Sequence, residues 1–111
     1  NIANTFLNKT SQAIGTVTNR IGNYTVASST QTTIIGLTIA NITATTMYVD
    51  CYHNDGATDT FLVKTAPIPS GGSLIVVGGD QKVVLETGDG IFVTSDTASS
   101  ADVLMSILEI T

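Results

Sequence analysis

From Thr32 onward, apolar and polar residues alternate over short runs, and each run ends in residues that turn the chain. Successive side chains of a strand point to opposite faces, so alternation marks a strand with one buried side. Ile35, Leu37 and Ile39 share one side of such a run, with Gly36, Thr38 and Ala40 on the other. Met47, Val49, Cys51 and His53 likewise oppose Tyr48, Asp50, Tyr52 and Asn54, and Phe61 with Val63, Val83 with Leu85 and Ile91 with Val93 continue the inward set. Strands are predicted at Thr32 to Ile42, Thr45 to Asn54, Asp59 to Ala66, Ser73 to Val77, Lys82 to Glu86, Gly90 to Ser95 and Ala101 to Thr111. Asn54-Asp55-Gly56 is a tight hairpin signal, 67–72 a stiff Pro/Gly loop, and Gly78-Gly79-Asp80 and Gly88-Asp89-Gly90 are further turns. This spacing predicts an all-β fold, an antiparallel β-sandwich of eight strands with a jelly-roll-like arrangement.

The last strand breaks the pattern. Val103, Met105 and Ile107 occupy one face while Leu104, Leu108 and Ile110 occupy the other, so both faces want cover and a packed arm or a second subunit is expected. Residues 1–12 hold neither a strict period of two nor a helical stripe, and read as an N-terminal arm whose Ile2, Phe6 and Leu7 dock on a neighbour, the alternative being a frayed terminus. Two short β pieces follow, Ala13 to Thr18 and Ile21 to Ala27. The organisation expected is an arm over 1–12 and a single sandwich domain over 13–111.

Composition agrees with the pattern. Nineteen Thr, twelve Ile and ten Val supply β-branched side chains that suit a pleated surface better than a helix. Only 12% of residues are charged and 42% are hydrophobic, which separates the chain from disordered ones. Nine acidic against four basic residues give a formal net charge of -5, the wrong sign for gripping phosphate backbones, so no nucleic-acid partner is expected. No run is long and apolar enough for a membrane helix, and no membrane partner is expected. The first residues lack the basic and apolar regions of a signal peptide, and a single Cys excludes an internal disulfide, so a reducing compartment fits.

Chemistry is sparse. Cys51 and His53, two apart on one strand face, could share a metal, but a zinc site needs three or four ligands and the chain has one His. The Asp residues fall mostly in turns, where Asp caps local backbone groups, and no pair stands out as a general acid and base. No nucleophile elbow, calcium loop or phosphate-binding Gly loop is present. Three Asn-x-Thr triplets, at Asn8, Asn23 and Asn41, are formal glycosylation acceptors of the kind that a Thr-rich chain produces by chance. No enzyme activity, catalytic residue, metal or cofactor is therefore expected. Tyr48 and Tyr52, flanking Asp50, form an aromatic stripe suited to a protein interface or to a sugar ring.

The segments 39–43 (Ile-Ala-Asn-Ile-Thr), 47–50 (Met-Tyr-Val-Asp), 68–74 (Ile-Pro-Ser-Gly-Gly-Ser-Leu), 82–85 (Lys-Val-Val-Leu), 88–93 (Gly-Asp-Gly-Ile-Phe-Val), and 101–109 give the chain, from about residue 25 to its end, a pattern that resembles small β-sandwich virion proteins of tailed bacteriophages, cyanophages included. The resemblance lies in strand and turn residues. It implies a structural role in the particle, most simply as a capsid decoration or cement protein. Such a protein would be a homo-oligomer, a trimer by analogy, bound to the major capsid protein or other virion proteins and located in virions assembled in the host cytoplasm. The interface candidates are Ile2, Phe6, Leu7, Tyr48, Tyr52, Leu104, Leu108 and Ile110. The alternative is a tail-fibre, neck or baseplate piece that binds carbohydrate on the host, with Tyr48 and Tyr52 as stacking platforms.

Overall fold

A computed structural model describes residues 3–111. Nine strands make up almost all of its regular structure: β1 (Asn4–Ile14), β2 (Asn19–Arg20), β3 (Gln31–Asn41), β4 (Met47–Asn54), β5 (Asp59–Ile68), β6 (Ser73–Val77), β7 (Val83–Leu85), β8 (Gly90–Ser95) and β9 (Ala101–Ile110). A single 3-10 turn, Ile21–Asn23, follows β2. The pairs β1–β9, β2–β8, β3 with β6 and β7, and β4–β5 are the rungs of one long antiparallel hairpin. Its tip is the Asn54–Asp59 turn, where the Asp55 carboxylate accepts the Ala57 and Thr58 N–H groups. The hairpin is rolled so that β3 also pairs with β9 and β4 with β8. Two stacked antiparallel sheets result, β1-β9-β3-β6 with β7 also on β3, and β2-β8-β4-β5.

Rolling follows from the amphipathic strands. Each rung of the flat hairpin would leave an apolar face in water, and closing the roll buries those faces against each other. Ile34, Leu37, Ile39, Met105 and Ile107 of the first sheet and Met47, Val49, Cys51, Ile91 and Val93 of the second are fully buried between the layers. The inward assignments of β4, β7, β8 and β9 hold.

Three expectations are corrected. Most of the proposed arm belongs to the sandwich: residues from Asn4 onward form β1, paired with β9 from Asn4↔Ile110 to Ser11↔Val103. Short polar side chains hid this strand, because an edge strand needs little apolar surface. Ile2 lies outside the described residues. The pieces expected at Ala13 to Thr18 and Ile21 to Ala27 are instead the end of β1, two residues of β2 and the 3-10 turn. Finally, two β-bulges switch faces: one between Ile34 and Gly36 buries Ile34 and turns Ile35 outward, and register shifts around Cys51 put Phe61 opposite Tyr52 on the outer side, while Val63 faces Cys51.

Candidate functional site

With the inner faces spent on the core, the outer faces of the two sheets carry what the protein can offer to others, and they differ in kind. On the first sheet the ladder register aligns outward residues in rows. One row runs Phe6–Leu108–Thr33–Val84 and the next but one Thr10–Leu104–Thr38–Ile75. Between them lie Asn8, Ser106 and the bulged Ile35. Phe6 is 72%, Ile75 68%, Val84 61% and Leu104 49% exposed, and they share one face. Of the outward residues on these strands only Asp102 is charged, and one of its oxygens already accepts the Ala13 N–H at 2.8 Å. Two shallow grooves cross the face. One of about 450 Å³ runs between β1, β9 and β3 over Thr10, Thr38 and Leu104, and one of about 340 Å³ lies beside Phe6 and Ile35.

The second sheet presents a different surface. Register places Arg20, Phe92, Tyr52 and Phe61 side by side across four strands. Tyr52 and Phe92 stack with centroids 5.3 Å apart and planes 4° from parallel, and Phe61 leans on the other side of Tyr52 at 5.1 Å. The Arg20 guanidinium lies over Phe92 at 4.5 Å and the Lys64 ammonium over Phe61 at 4.6 Å, which closes both ends of the stack. Gly90 makes room for the arginine, because a Cβ there would collide with its guanidinium. The Tyr52 hydroxyl and the Thr18 hydroxyl bond at 2.8 Å. Both faces of the Tyr52 ring are thus occupied by neighbouring rings. Tyr48, 43% exposed, stands free beside an open cleft of about 320 Å³ shared with Asp50, Thr65, Thr94 and Asp96. Asp50 accepts the Thr65 N–H and contacts the Lys64 ammonium, and Asp96 accepts the Tyr48 N–H and the Thr97 hydroxyl. Those hydrogen bonds hold the Asp96 carboxyl below its ordinary range.

Of the sequence-predicted residues, Phe6, Leu104, Leu108 and Ile110 come together on the first sheet's outer face. Leu7 points inward and packs against the core. Tyr48 and Tyr52 lie on the opposite side of the molecule. Sequence reasoning missed Ile35, Ile75, Val84 and Phe92. Val83-Val84-Leu85 carried a usable signal, since an unbroken apolar run covers both faces of a strand, as in β9.

The titratable cluster is also rearranged. His53 Nε2 and Asp89 Oδ2 lie 2.9 Å apart, and the same carboxylate oxygen accepts the Glu86 N–H, so the Glu86-to-Asp89 turn is tied to β4. Cys51 points into the core, where burial pushes its thiol up to about 12. Among the described residues, no three His, Cys, Asp or Glu side chains gather in a way that could hold a metal ion. Tyr24 ties the loop after the 3-10 turn to the first sheet near the chain ends. Its hydroxyl meets Thr32 at 2.7 Å and donates to Glu109 at 2.5 Å, and burial first and the carboxylate second push the phenol up to about 12.

No protein-family model and no curated protein matches the chain. Among solved structures, the subunit described under "Bacillus endospore appendages form a novel family of disulfide-linked pili" is similar over 99% of this chain and 88% of its own, with a TM-score of 0.56 and 15% identity. A pentameric capsid protein isolated from metagenomic phage sequences matches with a TM-score of 0.42 and 15% identity, over 91% of this chain and 59% of its own. The first likeness shows a shared β-sandwich fold.

Proposed function

We propose that this chain is a non-enzymatic structural protein of a bacteriophage virion, of the capsid decoration or cement type, in which the rolled hairpin is a jelly roll. The observation that carries the reading is the outer face of β1, β9, β3, β6 and β7, where Phe6, Ile75, Val84 and Leu104 stand open with Asp102 as the sole charge. Four strands at about 4.8 Å and a length of about 30 Å give a face of several hundred Å², in the range of one side of a specific interface. Such a face carries no groups that would perform chemistry, and removing it from water against an uncharged partner is favourable at about 25 cal/mol per Å² before the losses of association. A shell built of major capsid protein is the partner we assign. The acidic remainder of the surface keeps the unassembled protein soluble.

The test uses shells of the parent phage stripped of the protein. Wild type should co-sediment with them and raise their heat resistance, and Leu104→Lys should abolish both effects while retaining a wild-type circular dichroism spectrum. Shells that ignore the wild-type protein would end the cement reading. The alternative, a carbohydrate-binding adhesion module, draws on the cleft beside Tyr48, where one free ring adjoins hydroxyls and carboxylates. Tyr52 would not be its platform, since its ring faces are covered. A glycan screen in which binding survives Tyr48→Ala would remove that reading.

A further inference from the structure

The free edge of β1 points to a second copy of this chain as its partner. Ala3 and Thr111 exchange both backbone N–H···O bonds, which fixes the phase of the β1–β9 ladder. The odd residues Thr5, Leu7, Lys9 and Ser11 therefore bond to β9, and the even ones, Asn4, Phe6, Asn8 and Thr10, turn their N–H and C=O groups away from it, with Gln12 following at the register shift. Among the described residues no other hydrogen bond reaches the backbone of 4–12, and each of these even residues is exposed. A strand of this length with a bare edge is a template for another strand, and proteins normally blunt such edges. The opposite sheet does so: β5 carries Lys64, Pro67 and a positive φ of 50° at Thr65, whose N–H is tied to Asp50. β1 carries no proline, and its one charge, Lys9, leans inward over the Tyr24 ring.

We infer that two copies join β1 to β1, antiparallel, about a two-fold axis through Asn8. The register follows from charge and length. Centring on Asn8 places Phe6 opposite Thr10, Asn4 opposite Gln12 and Leu7 opposite Lys9, and pairs the strand from residue 4 to residue 12. Centring on Lys9 would set two ammonium groups against each other. Centring on Thr10 would need Ala13, whose φ is +54° and whose N–H is taken by Asp102. A two-fold contact uses the same β1 edge on both copies, so this pairing closes at a dimer. It also joins the two apolar outer faces into one, with the rim residue Phe6 beside the partner's Thr10. This inference goes beyond the cement reading, because it concerns the chain's own copy and is tested without shells.

Sedimentation equilibrium at micromolar concentration should give twice the 11.5 kDa of one chain. Asn8→Pro removes an outward donor and leaves the β9 ladder whole, because a proline is tolerated where its missing N–H faces away from the sheet. It should raise the dissociation constant about a hundredfold, since by symmetry two bonds are lost, with a urea midpoint that matches wild type once both proteins are diluted to monomers and falls below it where wild type is dimeric. Asn8→Cys should oxidise to a covalent dimer, because directly opposed residues of this pair type have Cα atoms about 5.5 Å apart, within disulfide reach. Asn4→Cys, opposite Gln12, should not. A single chain at all concentrations, a trimer, or a dimer indifferent to Asn8→Pro overturns the proposal. Should Asn8→Pro fail to fold, the absence of the Asn8→Cys cross-link does so instead.

Discussion

Replacing Asn41 by Ala should destabilise the protein by about 3 kcal/mol. The residue ends β3 and is 2% exposed, yet its side chain is fully used. Nδ2 donates to the Thr45 and Ile68 carbonyls, both at 2.8 Å, and Oδ1 accepts the Thr43 N–H at 2.9 Å and the Thr43 hydroxyl at 2.7 Å. One amide thus ties the β3–β4 loop to the end of β5. Loss of the donor to the buried Ile68 carbonyl costs about 1–3 kcal/mol, and loss of the half-buried Thr43 acceptor about 0.5–1.5. The Thr45 carbonyl belongs to an exposed residue and can turn to water at little cost. At roughly 4 °C per kcal/mol for a chain of this size, the melting temperature should fall by about 12 °C. Asn41→Asp is the decisive companion: it keeps the acceptor toward Thr43 but aims a carboxylate at two carbonyl oxygens, so it should be no better than Ala. Urea unfolding followed by circular dichroism reads both. A loss under about 1 kcal/mol for Ala, or Asp tolerated better than Ala, would refute the argument.

Cys51 should resist thiol reagents at pH 8 on the timescale of folding stability, and rapid labelling of the native protein would contradict its burial. Its thiol rises from an ordinary 9.0 to about 12 and the Tyr24 phenol from 10.0 to about 12, so the folded state holds both protons more tightly than the unfolded one. Their contribution is complete below pH 9 and is lost as the pH climbs toward 12, so the urea midpoint, flat across pH 7–9 as far as these groups decide it, should drop above pH 10, less steeply in Tyr24→Phe. Tyr52→Leu and Phe92→Leu should each cost about 1–2 kcal/mol with a coupling near 1 in a double-mutant cycle, and additive losses would deny the stack. Gly22→Ala should cost about 1–3 kcal/mol, since the residue has a φ of +63° and a Cβ there would lie 2.6 Å from the Lys9 Cβ; wild-type stability would remove the contact between the 3-10 turn and β1.

The chain showed its sandwich through period-two alternation, which reports which side of a strand is buried. It could not show β1, because Asn4 to Gln12 lie at an edge where burial demands little and Lys9 is stabilised by a ring fifteen positions away in sequence. Bulges were equally illegible: one extra residue at Ile35 reverses the faces of everything before it, and the pattern on either side looks regular. Phe61 was misplaced for the same reason. The His53–Asp89 pair was hidden because its partners are joined only by the β4–β8 pairing and the turn that precedes β8. Leu104, Leu108 and Ile110, by contrast, were legible as an outward apolar set because β9 runs without a bulge, and a strand with apolar residues on both sides cannot satisfy them within one sandwich.

The two outer faces divide the work by how each treats its aromatic and charged groups. On the second sheet, Arg20, Phe92, Tyr52, Phe61 and Lys64 stack on one another, so the ring faces that attract partners elsewhere are already engaged, while Arg20 Nη1 is buried without a hydrogen-bond partner among the described residues. On the first sheet the situation is reversed: Phe6, Ile75, Val84 and Leu104 have water on one side. With a net charge of -5, two molecules or a molecule and an acidic shell repel one another through most of their surfaces. The face that holds Asp102 alone is where that repulsion is least and the apolar gain is greatest. The same geometry sets the orientation of assembly, since an outer sheet face and its β1 edge meet at right angles and can be occupied at once: one by a copy of the chain in the plane of the sheet, the other by whatever the joined sheet is laid upon.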